Sequence, residues 1–176
     1  PTWLVGLRDG GHAYEFMSDL AMRLAHRIQM TTDGHRMYLD AVEDAFGTGI
    51  DYAMLMKLYG GAEPEGQRRY SPAECIGMDT RIIQGNPDKA RISTSYIERQ
   101  NLTLRMSSRR FTRLTNGFSK KVANLEHAMA LHYMYYNFAR PHKTLGNMTT
   151  PAMAAEVSDH VWSSIEEIVR LLPDSN

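Results

Sequence analysis

The chain has a single cysteine, Cys75, in 176 residues. That excludes an internal disulfide and fits a reducing compartment, so a cytoplasmic location is expected. No apolar run approaches the roughly 20 residues that a membrane-spanning helix needs, and no membrane partner is expected. The opening "PTWLVGLRDG" lacks both an initiator Met and a basic stretch followed by an apolar one. It is read as the start of a fragment and not as a signal peptide. The seven His form no ordered Cys/His zinc pattern. His127 and His132, five apart on a helix, are a poor same-face metal pair. Internal repeats and low-complexity tracts are absent as well.

Net charge is also lacking, with 20 Lys and Arg against 20 Asp and Glu. The balance hides a segregation. From Lys89 to Lys121 stand nine basic residues, Lys89, Arg91, Arg99, Arg105, Arg109, Arg110, Arg113, Lys120 and Lys121, against one acid, Glu98. Such a stripe is either a solvated basic face or the footprint of a polyanion.

At 43% hydrophobic residues the composition is that of an ordinary globular chain. "TWLVGL" reads as a strand and "RDGG" as a turn. "HAYEFMSDLAMRLAHR" has helical spacing at Tyr14, Met17, Leu20, Ala21, Leu24 and Ala25. "RIQMTTDG" reads as a short strand, "HRMYLDAVEDAF" as a helix, and "IDYAMLMKLYG" as a strand or short buried helix. This alternation predicts an α/β unit with at least a partly parallel sheet. Residues 60–92 are rich in Gly and Pro and read as an irregular insertion holding Cys75, with a hairpin around "DTRIIQGNPD". Helices are then expected in "STSYIERQNLTLRMSSRRF" and "SKKVANLEHAMALHYMYYNFA", the second halted by Pro141. Thr150 and Pro151 have the residue types of an N-cap and first helical position. A last helix is expected along Val161, Ile165, Ile168 and Leu172.

Two carboxylates stand out. Asp33 lies where a predicted strand runs into a turn, an address at which ligands gather in open α/β sheets, though Asp is also a favoured turn residue. Glu98 shares a helix face with Asn101 and Arg105, at i+3 and i+7. That face could hold a metal and an adjacent phosphate, or be a solvated stripe. Phosphoryl transfer gives carboxylates in a basic setting a purpose. Two Mg²⁺ about 4 Å apart activate the attacking oxygen and stabilise the leaving one, held by carboxylates while Arg and Lys neutralise the backbone.

Three segments carry a family resemblance: "TTDGHRMYLDAVEDAFG", "STSYIERQNLTLRMSSRRFTRLTNGFSKK" and "YNFARPHKTL…TTPAMAAEV". In order and type they resemble the C-terminal part of a DDE transposase/integrase catalytic domain of the bacterial insertion-sequence kind. The resemblance implies a partial ribonuclease H-like α/β fold over residues 1–145, with a helical extension over 146–176. It implies that Asp33 and Glu98 are the second and third catalytic acids, holding Mg²⁺ or Mn²⁺. It implies DNA, both transposon ends and target, and further copies of the chain as partners. The DNA-contacting residues expected are Asn101, Arg105, Arg109, Arg110, Arg113, Lys120, Lys121, Arg140 and Lys143. The sequence departs from the family in two respects. The family's first Asp has no counterpart, since Asp9 falls in a turn. Asp33 and Glu98 also stand 65 positions apart, a longer gap that the 60–92 insertion accounts for. The chain is thus expected to be a fragment of a DNA-transposing enzyme that is inactive alone. The alternative is an inactive truncated relic that only binds DNA or transposase subunits, and a nuclease acting on RNA–DNA hybrids is a third reading.

Overall fold

Strand signals in the N-terminal third are concentrated between Arg27 and Tyr59, and the sheet begins there. The computed structural model, which describes residues 2–60, 74–112 and 115–163, divides into two compact units, Thr2–Asn101 and the chain from Leu102 onward.

In the first unit, helix α1 (Gly10–Met22) starts at Asp9, whose carboxylate accepts the His12 backbone N–H at 2.9 Å. An unpaired donor of the first turn is thereby satisfied. Strand β1 (Ile28–Thr32) comes next, then helix α2 (Met37–Phe46). Gly47 ends α2 at φ +50°, a conformation that a side chain rarely adopts. Strand β2 (Ile50–Tyr59) runs parallel to β1, pairing Ile28 with Ile50 and Thr32 with Met54. Strand β3 (Cys75–Gln84) pairs antiparallel on the far side of β2, giving the order β1-β2-β3. The α/β expectation with a partly parallel sheet therefore holds, in a three-stranded mixed sheet.

The core explains the arrangement. Ala13 and Met17 from α1 and Ala41 and Val42 from α2 meet Met30, Ile50, Tyr52 and Met54 from the strands. Burial in β2 is nearly continuous from Tyr52 to Leu55, as a central strand requires. Among the described residues edge strand β3 has no such cover, and Ile76, Met78, Ile82 and Ile83 are exposed.

Two sequence expectations are corrected here. "TWLVGL" forms no strand: residues 2–9 are irregular and lead into the Asp9 cap. Leu4 and Leu7 are exposed, and Gly6 packs on the His12 ring, where a Cβ would sit 2.0 Å from the ring carbon. The hairpin in 60–92 is also placed differently. "DTRII" belongs to β3 and pairs back on β2, so Cys75 is a strand residue and not a loop residue.

A polar latch joins β1 and β2 to the connection between β3 and the next helix. Arg27 makes a two-point ion pair with Asp51, at 2.7 and 2.9 Å, and donates to the carbonyls of Thr48 and Ile50. Asp51 also accepts the Asn86 N–H at 2.8 Å. Gln29 pairs with the backbone of Asp88 in both directions, at 2.8 and 3.0 Å. These contacts fix the strand-to-helix connection from which helix α3 (Ser95–Ser107) emerges.

The second unit takes over within α3, at Leu102. It contains a 3-10 turn at Arg109–Phe111 and helix α4 (Val122–Met134), extended by a π-helical turn at Tyr135–Ala139. Pro141 lies just beyond, as expected for a residue that cannot continue a helix. Thr150 is fully buried, caps Met153, and places Pro151 first in the short helix α5 (Pro151–Ala154). Of the expected last helix, Val161–Ser163 are not helical, and Ile165, Ile168 and Leu172 lie outside the described residues. The Trp162 ring stacks on Phe138 at 4.2 Å instead.

Candidate functional site

Asp33 comes directly after the last residue of β1, and local hydrogen bonds fix its backbone. Thr32 donates its hydroxyl to the Asp33 carbonyl at 3.1 Å and lies 2.7 Å from the hydroxyl of buried Tyr52. The core of the sheet therefore reaches the site through one hydroxyl pair. Asp33 Oδ1 accepts the His35 N–H at 3.1 Å, the Asx-turn geometry that its turn reading anticipated. Its Oδ2 lies 3.8 Å from the Arg8 guanidinium.

Glu98 is in the first turn of α3, where a carboxylate also favours the helix N-terminus. Its Oε1 receives two donors, the Lys57 ammonium at 2.5 Å and the Thr94 hydroxyl at 2.7 Å. Among the described residues Oε2 accepts no hydrogen bond. The Lys57 hydrogen bond, then that of Thr94, holds the Glu98 carboxyl below the usual glutamate range. In return, Glu98 raises the Lys57 ammonium above its ordinary value.

Asp33 and Glu98 line one pocket of about 330 Å³, together with Gly34, Leu55, Met56, Lys57, Tyr59 and Thr94. Two carboxylates, one ammonium and the hydroxyl-bearing Tyr59 and Thr94 thus line one pocket of the first unit. The nearby hydroxyls of Tyr38 and Tyr52 are pushed above the ordinary tyrosine value, mainly by burial and in part by the charge of Asp33.

The residues expected to touch DNA fall in two groups. Asn101 is exposed on α3, one turn beyond Glu98. The others belong to the second unit. Arg105, Arg109, Lys120, Lys121, Arg140 and Lys143 are exposed and form no ion pair among the described residues. Arg110 has a structural task that sequence reading missed: it donates to the Ser119 hydroxyl at 2.8 Å and to the Asn124 carbonyl at 2.9 Å. It ties the 3-10 turn to the start of α4. Arg113 lies outside the described residues. His142 packs edge-on against Tyr136 at 4.5 Å and is part of the turn after α4.

Lys57 and Thr94 are not among the residues that the sequence singles out. Lys57 had a signal there, being the one charged residue in the apolar run "YAMLMKLY". Thr94 had none beyond its place in a helix start.

No family model, curated protein or solved structure matches this chain. The functional reading rests on the geometry. No group of three or more His, Cys, Asp or Glu able to hold a metal occurs among the described residues. The donor set at the pocket fits a hard divalent cation in kind, two oxygen ligands of negative charge, and supplies two ligands where such sites use several. Among the described residues, no helix is long and apolar enough to cross a membrane.

Proposed function

We propose that the first unit is the second half of a ribonuclease H-like catalytic domain of a DDE transposase/integrase, acting on DNA phosphodiesters with Mg²⁺ or Mn²⁺. One observation carries the reading: a carboxylate at the end of a parallel strand and a carboxylate on the helix after the sheet line the same pocket. They are the same two carboxylates that stand out in the sequence by type and address. Asp33 and Glu98 would hold the ion, with Thr94 orienting Glu98. A bound divalent ion would stabilise charge on the phosphoryl oxygens. The exposed cations of the second unit, Arg105, Arg109, Lys120, Lys121, Arg140 and Lys143, would neutralise DNA phosphates.

A labelled DNA duplex titrated with the chain at several salt concentrations tests the DNA half of this reading. Affinity should fall as salt rises, and Lys120→Ala with Lys121→Ala should reduce the logarithmic salt slope by about 2. Failure to bind any duplex at low salt would overturn it.

A second reading has its own observation. With only two carboxylates at the pocket, each facing a cation of the chain itself, the site is incomplete. The chain would then bind DNA or transposase subunits without cutting. Strand-transfer assays separate the two. Metal-dependent joining by the 176-residue chain, lost in Glu98→Ala, would refute the incomplete-site reading.

A further inference from the structure

We propose that Lys57 is a resident counter-cation of Glu98 that competes with a divalent metal for this carboxylate, so that Lys57 sets the metal affinity of the site. The inference rests on the reading of Glu98 as a metal ligand and goes beyond it to a residue which that reading does not include.

Position is the first support. Lys57 is on β2, paired with Met78 of β3, and its side chain is only 29% exposed. A lysine on the open surface would be free to turn into water. This one is directed along the pocket wall to Glu98, and it lines the same cavity as Asp33. Its ammonium lies 2.5 Å from Oε1.

Charge is the second. Thr94 and Lys57 both donate to Oε1, so one carboxylate oxygen is saturated and the other open. A neutral hydroxyl adds no charge repulsion to a metal on the same carboxylate, whereas an ammonium does. A doubly charged ion at Glu98 would repel a neighbouring ammonium with twice the force of a single charge. Metal entry therefore weakens the hold of Lys57 on Oε1, while Thr94 keeps its bond and the carboxylate its orientation. Linkage makes the effect reciprocal, since whatever Lys57 gains from Glu98 is subtracted from metal binding.

The test is Mn²⁺ titration of the full chain, following free Mn²⁺ by electron paramagnetic resonance. Lys57→Met should tighten the Kd on the order of five- to a hundredfold, the usual range for coupled sites. Lys57→Arg, keeping the charge, should stay near the unsubstituted value, and Glu98→Gln should abolish binding. Should Lys57→Met fail to fold, acylation of the unsubstituted protein read by mass spectrometry decides. Mn²⁺ should speed acylation of Lys57 severalfold relative to Lys120 and Lys121, and equal rates would overturn the proposal. Glu98-dependent binding that ignores Lys57→Met overturns the proposal and leaves the metal reading standing. Absence of Glu98-dependent binding in every variant overturns both.

Discussion

Substituting the buried hydroxyl pair beneath Asp33 gives an asymmetric loss whose size depends on which partner donates. Tyr52 is 1% exposed and Thr32 is 8% exposed, with 2.7 Å between their oxygens. Thr32 already directs its proton to the Asp33 carbonyl at 3.1 Å, so Tyr52 must be the donor to Thr32. Tyr52→Phe then removes a donor and leaves only an acceptor lone pair unmet, while Thr32 keeps the bond it donates. The expected loss is that of one ordinary hydrogen bond, about 1 kcal/mol. Thr32→Val is more damaging, because it strands the Tyr52 hydroxyl as a buried donor. Its cost should be on the order of 1–3 kcal/mol. In the double variant two apolar groups of nearly unchanged shape face each other, so it should be less destabilised than Thr32→Val alone. Urea unfolding at neutral pH measures all three, with an unchanged m-value as the sign that only stability moved. Strictly additive losses, or a Tyr52→Phe loss larger than that of Thr32→Val, would refute the donor assignment and the link from core to site.

Three further outcomes are expected. Arg27, and then the Asn86 N–H, hold the Asp51 carboxyl at about 2, below its ordinary 3.8. Its contribution is present above the unfolded value and lost as pH falls from 3.8 toward 2, so the stability gap between the native chain and Asp51→Asn should be wide at pH 6 and close in that window; a constant gap would contradict this. Gly85 has φ +69°, and a Cβ there would sit 2.1 Å from an Asp51 oxygen already pinned by Arg27 and Asn86. Gly85→Ala should therefore exceed the roughly 1–2 kcal/mol of the left-handed backbone alone, and a loss below that in urea unfolding would argue against the latch. Burial, and then the charge of Arg140, lowers the His132 imidazolium below its ordinary 6.5. The unfolded chain then binds the extra proton first, so stability should fall as pH drops below about 6.5, and His132→Gln should flatten that part of the melting-temperature profile.

How much of this was legible in sequence depended on whether a residue's task is local. Helical spacing at Met17 and Val42 located α1 and α2, because burial of one helix face imposes that period wherever a sheet lies beneath. The Thr150–Pro151 cap was readable for the same reason, its geometry being contained within one turn. "TWLVGL" misled, because apolar, β-branched composition reports burial and not the ladder partner that a strand needs. Strand β3 was hidden inside a Gly- and Pro-rich stretch, since its pairing with β2 bridges residues far apart in the chain. At the pocket, Asp33 and Glu98 stood out by type and address. Their neighbours Lys57 and Thr94 did not, because 41 positions separate Lys57 from the carboxylate it pairs with. Arg110 has a second task that its charge did not announce, since its guanidinium also serves an internal turn, bonding residues 9 and 14 positions away.

The central claim is that Asp33 and Glu98 share one divalent ion. Amide NMR of the chain with substoichiometric Mn²⁺ tests it most directly, since a paramagnetic ion broadens only the signals around it. The Gly34 and Glu98 amides should broaden together, and Asp33→Asn should relieve the broadening at both. Broadening at one residue alone, or an unchanged pattern in Asp33→Asn, would contradict it.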